Sequence, residues 1–144
     1  MELARRFNGE IISADSRLFY RGMDIGTAKP SVAERAVVPH HLIDLAAPDE
    51  TLSLGEYQRL AYRTIDEVLA RGRLPIFVGG TGQYVWAVVE GWGIPEVAPN
   101  PALRASLEAL GQDELARRLA ALDPTAAGRI DPRNVRRVVR ALEV

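Results

Sequence analysis

An apolar segment that runs into a glycine turn and then into a helix limits the folds that this chain can adopt. Residues Leu74–Val78 read LPIFV, which is short and apolar enough for a central strand of a parallel sheet. Residues 79–82, GGTG, lead from it into a helical pattern at 83–90. Such a corner exposes backbone N–H groups at the positive end of a helix dipole, so it can receive an anion. The hydroxyl of Thr81 would point into this corner. The alternative is a tight turn that simply needs glycine.

A second short buried strand is predicted at Ile11 and Ile12, behind Gly9. Asp15 follows, at the end of a strand where open α/β sheets bind ligands. The alternative role for Asp15 is a helix N-cap, because Asp is favoured at that position. Residues 23–30 then have neither helical nor strand periodicity. A long irregular segment that keeps apolar residues indicates a functional loop rather than disorder.

The rest of the N-terminal part reads as helices and one further strand. Ser53 and Glu56 have the spacing of a capping box, which would begin a helix that ends at Gly72. A similar box begins a short helix at Ser31, and residues 41–45 are the next strand candidate.

Side chains on these helices carry further expectations. Glu67 and Arg71 have the i,i+4 spacing of a modest surface ion pair. Trp86 and Val89 are expected in the core rather than as platforms for base stacking.

Composition excludes several kinds of site. The chain has 144 residues, no cysteine and only two histidines, the neighbours His40 and His41. Disulfides and thiolate metal sites are therefore excluded, and a histidine zinc site is disfavoured because adjacent strand residues face opposite ways. The net charge of −1 attracts neither nucleic acid nor acidic lipid to the chain as a whole. No run resembles a membrane span or a signal peptide, so a cytoplasmic enzyme is expected.

A boundary is predicted at residues 91–101, which are rich in proline and glycine. Strand and helix patterns precede it, and only helical patterns follow. The predicted organisation is therefore an α/β core over residues 1–97 and a helical region over residues 98–144. The last predicted helix runs over 132–144, with Asp131 as its cap.

This last helix has an apolar stripe and a basic stripe. The basic stripe consists of Arg133, Arg136, Arg137 and Arg140, at positions i, i+3, i+4 and i+7. Like charges at this spacing repel each other, so the stripe is costly unless an anion meets it. A solvated surface face is the alternative.

Four segments resemble, in the same order, signature blocks of the tRNA dimethylallyltransferases. They are ADSRLFYRGMDIGTAKP at 14–30, HHLIDL at 40–45, PIFVGGTGQY at 75–84 and RRVVRALEV at 136–144. The resemblance implies a P-loop NTPase-like parallel sheet. It also implies transfer of a dimethylallyl group from dimethylallyl diphosphate to N6 of adenosine 37, in tRNAs that read codons beginning with U. The phosphate-binding motif of that family, G-x-x-x-x-G-K-[ST], does not occur in the sequence. We therefore expect a fragment that lacks the first strand, the phosphate loop and the C-terminal part, with little activity by itself.

The resemblance also implies roles for individual residues. Asp15 would take the proton from N6 or hold the amine in line, and Thr81 would contribute to the diphosphate site. Ser16, Arg17 and Leu18 would line the nucleoside, although glutamine is more frequent in the family at the position of Leu18. The remaining expected contacts are with tRNA, chiefly with its phosphates: Arg104, Arg136, Arg137, Val138, Val139 and Arg140.

The partners that the resemblance implies are the anticodon stem-loop of tRNA and dimethylallyl diphosphate. The target adenine would swing out of the loop to be reached. Mg²⁺ is the implied cofactor, because it would neutralise the departing diphosphate. The resemblance further implies an ATP-binding type of nucleotide core, no membrane association, and a monomer when full length.

Two other functions stay open. One is an isopentenyltransferase or a kinase that acts on free nucleotides. The basic last helix argues against this function, because a free nucleotide does not need a distant basic stripe. The other is a truncated RNA-binding domain without catalytic activity, which the missing phosphate loop favours.

Overall fold

The computed structural model describes residues Met1–Val144, which form two compact units, Met1–Ile94 and Pro95–Val144. The predicted boundary at 97/98 lies in the same proline-rich connection as this division. None of the helices is both long enough and apolar enough to cross a bilayer.

The first unit is built on a three-stranded parallel sheet, as predicted for an α/β fold. The strands are β1 (Gly9–Ser13), β2 (His40–His41) and β3 (Leu74–Val78), in the order β2-β1-β3. The strand β1 is central and all five of its residues are buried.

The expected position of β3 at the centre of the sheet is wrong, because this strand pairs with β1 alone. Its terminal residues Leu74 and Val78 are about half exposed. The predicted strand over 41–45 is also wrong in length. Leu42 and Asp44 both have a φ of 58°, in the left-handed region, so the extended backbone ends at His41.

The helices of the first unit are α1 (Glu2–Arg6), α2 (Val32–Val37), α3 (Leu54–Ala70) and α4 (Gly82–Val89). Both predicted capping boxes form. Ser31 and Glu34 close the first turn of α2, and Ser53 and Glu56 close that of α3. Within each pair, the side chain of each residue accepts a hydrogen bond from the backbone N–H of the other.

The core of this unit contains an aromatic cluster beside the end of β1. The rings of Phe19, Tyr57 and Tyr84 lie with centroids 4.5–5.3 Å apart. The hydroxyl of Tyr57 donates to the carbonyl of Ser13 over 3.0 Å. Burial raises the pKa of the Tyr57 phenol, so the hydroxyl remains a donor at neutral pH. The cluster thereby fixes the carboxyl end of β1.

Two expectations about helix side chains are wrong. Trp86 and Val89 are 53% and 65% exposed, because α4 turns Ala87 and Val88 to the core instead. The guanidinium of Arg71 binds the buried carboxylate of Glu10 at 2.7 Å, rather than forming the expected surface pair with Glu67. The hydrogen bond from Arg71 lowers the pKa of Glu10, which is also bonded to His41.

The second unit is helical throughout, with α5 (Pro101–Glu108), α6 (Gln112–Leu122), α7 (Pro124–Ala127) and α8 (Val135–Glu143). Its core is formed by Leu107, Leu115, Leu119, Val138 and Val139. The predicted start of the last helix at Pro132 is wrong. Asn134 caps α8 by accepting from the N–H of Arg137, whereas Asp131 accepts from the N–H of Arg133 in the turn before it.

Candidate functional site

The ends of β1 and β3 meet in a hydrogen-bonded corner. The N–H of Ala14 donates to the carbonyl of Val78 over 2.8 Å, and the N–H of Thr81 donates to the carbonyl of Ala14 over 3.2 Å. A Cβ on Gly79 would lie 2.3 Å from the carbonyl carbon and oxygen of Ala14. Glycine is required here for this close approach, which brings the segment after β1 against the turn after β3.

The corner brings together three of the predicted site residues. The Thr81 hydroxyl oxygen accepts from the N–H of Ser16 over 3.2 Å and lies 3.3 Å from the Ser16 hydroxyl. Oδ2 of Asp15 lies 4.0 Å from the position that a Cβ on Gly80 would take. The structure thus places Asp15, Ser16 and Thr81 side by side, although the two strands are distant in sequence.

Asp15 does not cap a helix. The N–H of Arg17 donates to its Oδ1 over 2.9 Å, and the N–H of Leu18 donates to its carbonyl over 3.1 Å. These bonds form a turn that no helix continues, so the N-cap alternative is wrong. One carboxylate oxygen is held in place, while Oδ2 accepts no hydrogen bond within the chain and is available to a ligand.

The residues that follow Asp15 differ in exposure. Ser16 and Leu18 are half-buried, whereas Arg17 is exposed. The Leu18 backbone is used twice, because its carbonyl accepts from the N–H of Asp44 over 3.0 Å. Arg17 is therefore the member of this segment that projects into solvent.

The first turn of α4 is left open towards this corner. Thr81 is the N-cap residue but makes no side-chain cap bond, since its hydroxyl contacts Ser16 instead. The first N–H groups of the helix are therefore not bonded by the cap side chain. Together with the helix dipole they favour an anion, so the anion site that the sequence suggests stays a prediction beside the alternative of a tight glycine turn. One cavity lies beside Asp131 and Arg136 and another beside Ala4 and Gly9, and neither is lined by Asp15 or Thr81.

The irregular loop after this turn is fixed by charges that the sequence did not reveal. Nζ of Lys29 donates to the carbonyl of Tyr20 and to the carboxylates of Asp24 and Asp44, at 2.7–2.8 Å. Arg35 binds the second oxygen of Asp44 over 2.7 Å. The only hints in the sequence are that Lys29 is the single lysine and that Asp44 interrupts a predicted strand.

The electrostatics of this cluster keep it ionised. Burial lowers the pKa of Lys29, but its hydrogen bonds to Asp24 and Asp44 outweigh that effect and the net shift is upward. Burial likewise raises the pKa of the Asp44 carboxyl, and the hydrogen bonds from Lys29 and Arg35 reverse the shift, so the net direction is down. Lys29 and Asp44 are therefore both charged at neutral pH.

The predicted tRNA contacts on α8 fall into different environments. Arg136 and Arg137 are exposed and take part in no ion pair within the chain. Val138 and Val139 are only 1% and 3% exposed. Contact of Val138 and Val139 with tRNA, which the resemblance implies, therefore stays a prediction and could not be made by these buried side chains. They hold α8 against its own core instead.

Arg104 and Arg140 share the buried carboxylate of Glu143, whose side chain is 1% exposed. Arg104 donates to both of its oxygens, over 2.8 and 2.7 Å, and the N–H of Asn100 donates to it as well. The hydrogen bond from Arg104, then that from Asn100 and that from Arg140, lower the pKa of Glu143 to about 2. Arg104 and Arg140 thus join α5 to α8, and sequence reasoning missed this role.

Comparison with known proteins shows which family the chain resembles. The family model described as IPP transferase matches residues 18–144. A protein named tRNA dimethylallyltransferase from Roseiflexus sp. (strain RS-1) is 60% identical over the whole of this chain and 48% of its own length. One of the same name from Chloroflexus aggregans is 59% identical over 98% of this chain and 49% of its own length. The chain spans about half the length of the curated relatives it matches.

Two solved structures share the fold. One is the full-length tRNA isopentenylpyrophosphate transferase from Bacillus halodurans, which is 49% identical with a TM-score of 0.63. The match covers 99% of this chain and 48% of that one. The other is a eukaryotic dimethylallyltransferase acting on tRNA, which is 29% identical with a TM-score of 0.80. This match covers 96% of this chain and 35% of the eukaryotic chain. The P-loop NTPase-like α/β fold expected from the sequence agrees with these neighbours.

Proposed function

Because the chain belongs to the IPP transferase family, we propose that the full-length protein transfers a dimethylallyl group from dimethylallyl diphosphate to N6 of adenosine 37. The substrates are tRNAs that read codons beginning with U. The single observation that carries this proposal is the pair of carboxylate oxygens on Asp15. Oδ1 is fixed by the N–H of Arg17, and Oδ2 is free beside Thr81.

The geometry suits a proton acceptor for a weak nucleophile. N6 of adenine attacks the first carbon of the dimethylallyl group, and the bond from that carbon to the diphosphate oxygen breaks. The diphosphate leaves with the electron pair, and the N6 proton passes to Oδ2 of Asp15. Because Oδ1 is already held, the free oxygen keeps one direction and loses little entropy when it meets the amine.

The other residues of the corner have supporting roles in this proposal. Ser16 and Thr81 hold the turn after β1 against the turn after β3, and the open N–H groups of α4 receive part of the negative charge of the diphosphate. Arg17, exposed beside Asp15, is placed to contact the RNA around the adenosine. Leu18 supplies an apolar contact where the family more often has glutamine.

We further propose that Mg²⁺ binds together with the diphosphate. No cluster of three or more His, Cys, Asp or Glu side chains in the chain could enclose a metal ion. Phosphate oxygens and water would hold the ion, and the Thr81 hydroxyl and the free Asp15 oxygen are the protein oxygens of the corner that could contribute to its binding. When bound, the ion would neutralise charge on the leaving group.

The remaining partners follow from the same proposal. The anticodon stem-loop is bound partly by the exposed face of Arg136 and Arg137, a feature that a free nucleotide would not need. We further propose that the full-length protein is a cytoplasmic monomer with an ATP-binding type of nucleotide core.

The test is the variant Asp15→Asn in the full-length protein. Asparagine keeps an oxygen that can accept from the N–H of Arg17, so the turn is preserved while the proton acceptor is lost. We expect the single-turnover rate of dimethylallyl transfer to fall by about 10²–10⁴-fold, with the dissociation constant for an anticodon stem-loop carrying A36-A37-A38 unchanged.

The matched control is Asp49→Asn, which removes an exposed carboxylate from the same unit. It should leave both quantities unchanged. Loss of stem-loop affinity in the Asp15 variant, with the transfer rate intact, would assign Asp15 to RNA binding and remove it as the proton acceptor.

A further inference from the structure

Lys29 has a buried ammonium group in a segment without regular structure. Its side chain is 2% exposed, although residues 21–31 contain neither helix nor strand. An ammonium group has three N–H donors, and Nζ has three acceptors within 2.8 Å: Tyr20 O, Asp24 Oδ1 and Asp44 Oδ1. The donors are fully used inside the protein, so Lys29 is not available to bind a phosphate.

Asp44 links this ammonium group to the turn that carries Asp15. Its carboxylate binds Lys29, while its own N–H donates to the carbonyl of Leu18 over 3.0 Å. The N–H of Leu18 in turn donates to the carbonyl of Asp15 over 3.1 Å. Three polar contacts therefore connect Nζ of Lys29 to the backbone of Asp15.

The backbone of Asp44 needs such support. Its φ of 58° is left-handed, a conformation that costs energy for a residue with a Cβ and that aspartate adopts when its polar groups are bonded. Arg35 also binds its carboxylate, but that side chain is 30% exposed and its other bond goes to the carbonyl of Pro30, not to Tyr20 or Asp24. Lys29 is thus the group that joins both ends of the irregular loop to the residue bonded to Leu18.

We propose that Lys29 is a positioning residue: by holding Asp44, it fixes the turn Asp15–Leu18 and with it the direction of the free Asp15 oxygen. The catalytic part of this inference depends on the proposed function, because it needs Asp15 to be the proton acceptor. The structural part does not. Lys29 acts through Asp44 and touches no substrate.

The first measurement is backbone amide hydrogen exchange in the full-length protein with Lys29→Met. The methionine side chain keeps the length of lysine but cannot donate. We expect the N–H groups of Asp44 and Ala46, which join the two segments, and that of Leu18, which closes the turn on Asp15, to exchange about tenfold faster. Amides in the middle of α3 should be unchanged. The control is Arg73→Met, which removes an exposed positive charge from the same unit and should alter none of them.

The second measurement is prenyl transfer by the same variants. Lys29→Met should lower the single-turnover rate about tenfold while leaving the dissociation constant of the stem-loop unchanged. Lys29→Arg should recover part of the rate, because it restores the charge but not the compact three-donor geometry.

Several results would overturn the proposal. They are unchanged exchange at Leu18, Asp44 and Ala46, equal acceleration in α3 as from global destabilisation, and weaker stem-loop binding with an unchanged transfer rate. If the unmutated protein transfers no prenyl group, the proposed function fails. The exchange data then still decide whether Lys29 holds the turn.

Discussion

Asp15 and Glu143 show how differently two carboxylates can be used in one small protein. Asp15 has one oxygen in a turn and one free, whereas both oxygens of Glu143 are bonded by arginine N–H groups in a buried position. The sequence can point to Asp15, because an acid directly after an apolar strand is a local pattern. It cannot point to Glu143, because its partner Arg104 is 39 residues away and only the packing of α5 on α8 brings them together.

The Glu143 ion pairs predict acid sensitivity of the helical unit. The folded-state pKa of about 2 is below the ordinary value of 4.5, so the carboxylate stabilises the folded form at neutral pH. This stabilisation is complete above about pH 4.5 and is lost as the pH falls towards 2. We expect Glu143→Gln to lower the urea midpoint of the α8 amide signals at pH 7 and to have a much smaller effect near pH 2.

The control for this prediction is Glu108→Gln, which changes an exposed glutamate on α5. It should show no comparable pH dependence. Equal destabilisation by Glu143→Gln at both pH values would mean that packing of the side chain, and not its charge, is what matters.

At the level of helices and strands, features whose partners are close in sequence could be predicted, whereas features that depend on tertiary packing could not. The capping boxes at Ser31 and Ser53 could be predicted because all their partners lie within one turn. Helical periodicity does not determine which face of α4 is buried, and Trp86, which the sequence predicts in the core, is half exposed. Asp131 and Asn134 are both good caps by type, and the structure uses the second to begin α8.

The contact between β1 and β3 predicts that alanine substitutions at two neighbouring glycines have different effects on stability. A Cβ at Gly79 would lie 2.3 Å from Ala14, so Gly79→Ala must push the strand ends apart. We expect a loss of about 1–3 kcal/mol in the free energy of unfolding, measured by urea denaturation of the first unit's signals. Gly80→Ala meets nothing closer than Oδ2 of Asp15 at 4.0 Å and serves as the matched control, with little change in stability.

Both substitutions also test the site, since Asp15 lies beside both glycines. If Gly79→Ala left stability unchanged, the close approach of Ala14 to the turn after β3 would not exist in solution. The corner that holds Asp15 beside Thr81 would then have to be abandoned.

For the whole molecule, a net charge of −1 conceals an uneven distribution of arginines. The sequence identified the stripe on the last helix but could not say which of its members are available. The structure separates them. Arg140 is bound by Glu143 and by the carbonyl of Val97, Arg133 is bound by Asp131, and Arg136 and Arg137 have no partner. Glu143 is only three residues from Arg140, at helical spacing, whereas Val97 is 43 residues away. Only the bond to Val97 could therefore not be predicted from spacing.

The two unpaired arginines of α8 should each contribute to RNA binding. Arg136→Gln and Arg137→Gln should each weaken binding of the full-length protein to an anticodon stem-loop, because each removes a cation that can release counterions from RNA phosphates. Each should reduce the slope of log K against log salt by about 1. Arg117→Gln is the matched control, since Arg117 is an exposed helix arginine already paired with Glu114. If the slope for the α8 variants were the same as for this control, the exposed arginine face would be an ordinary solvated surface and RNA would be held elsewhere.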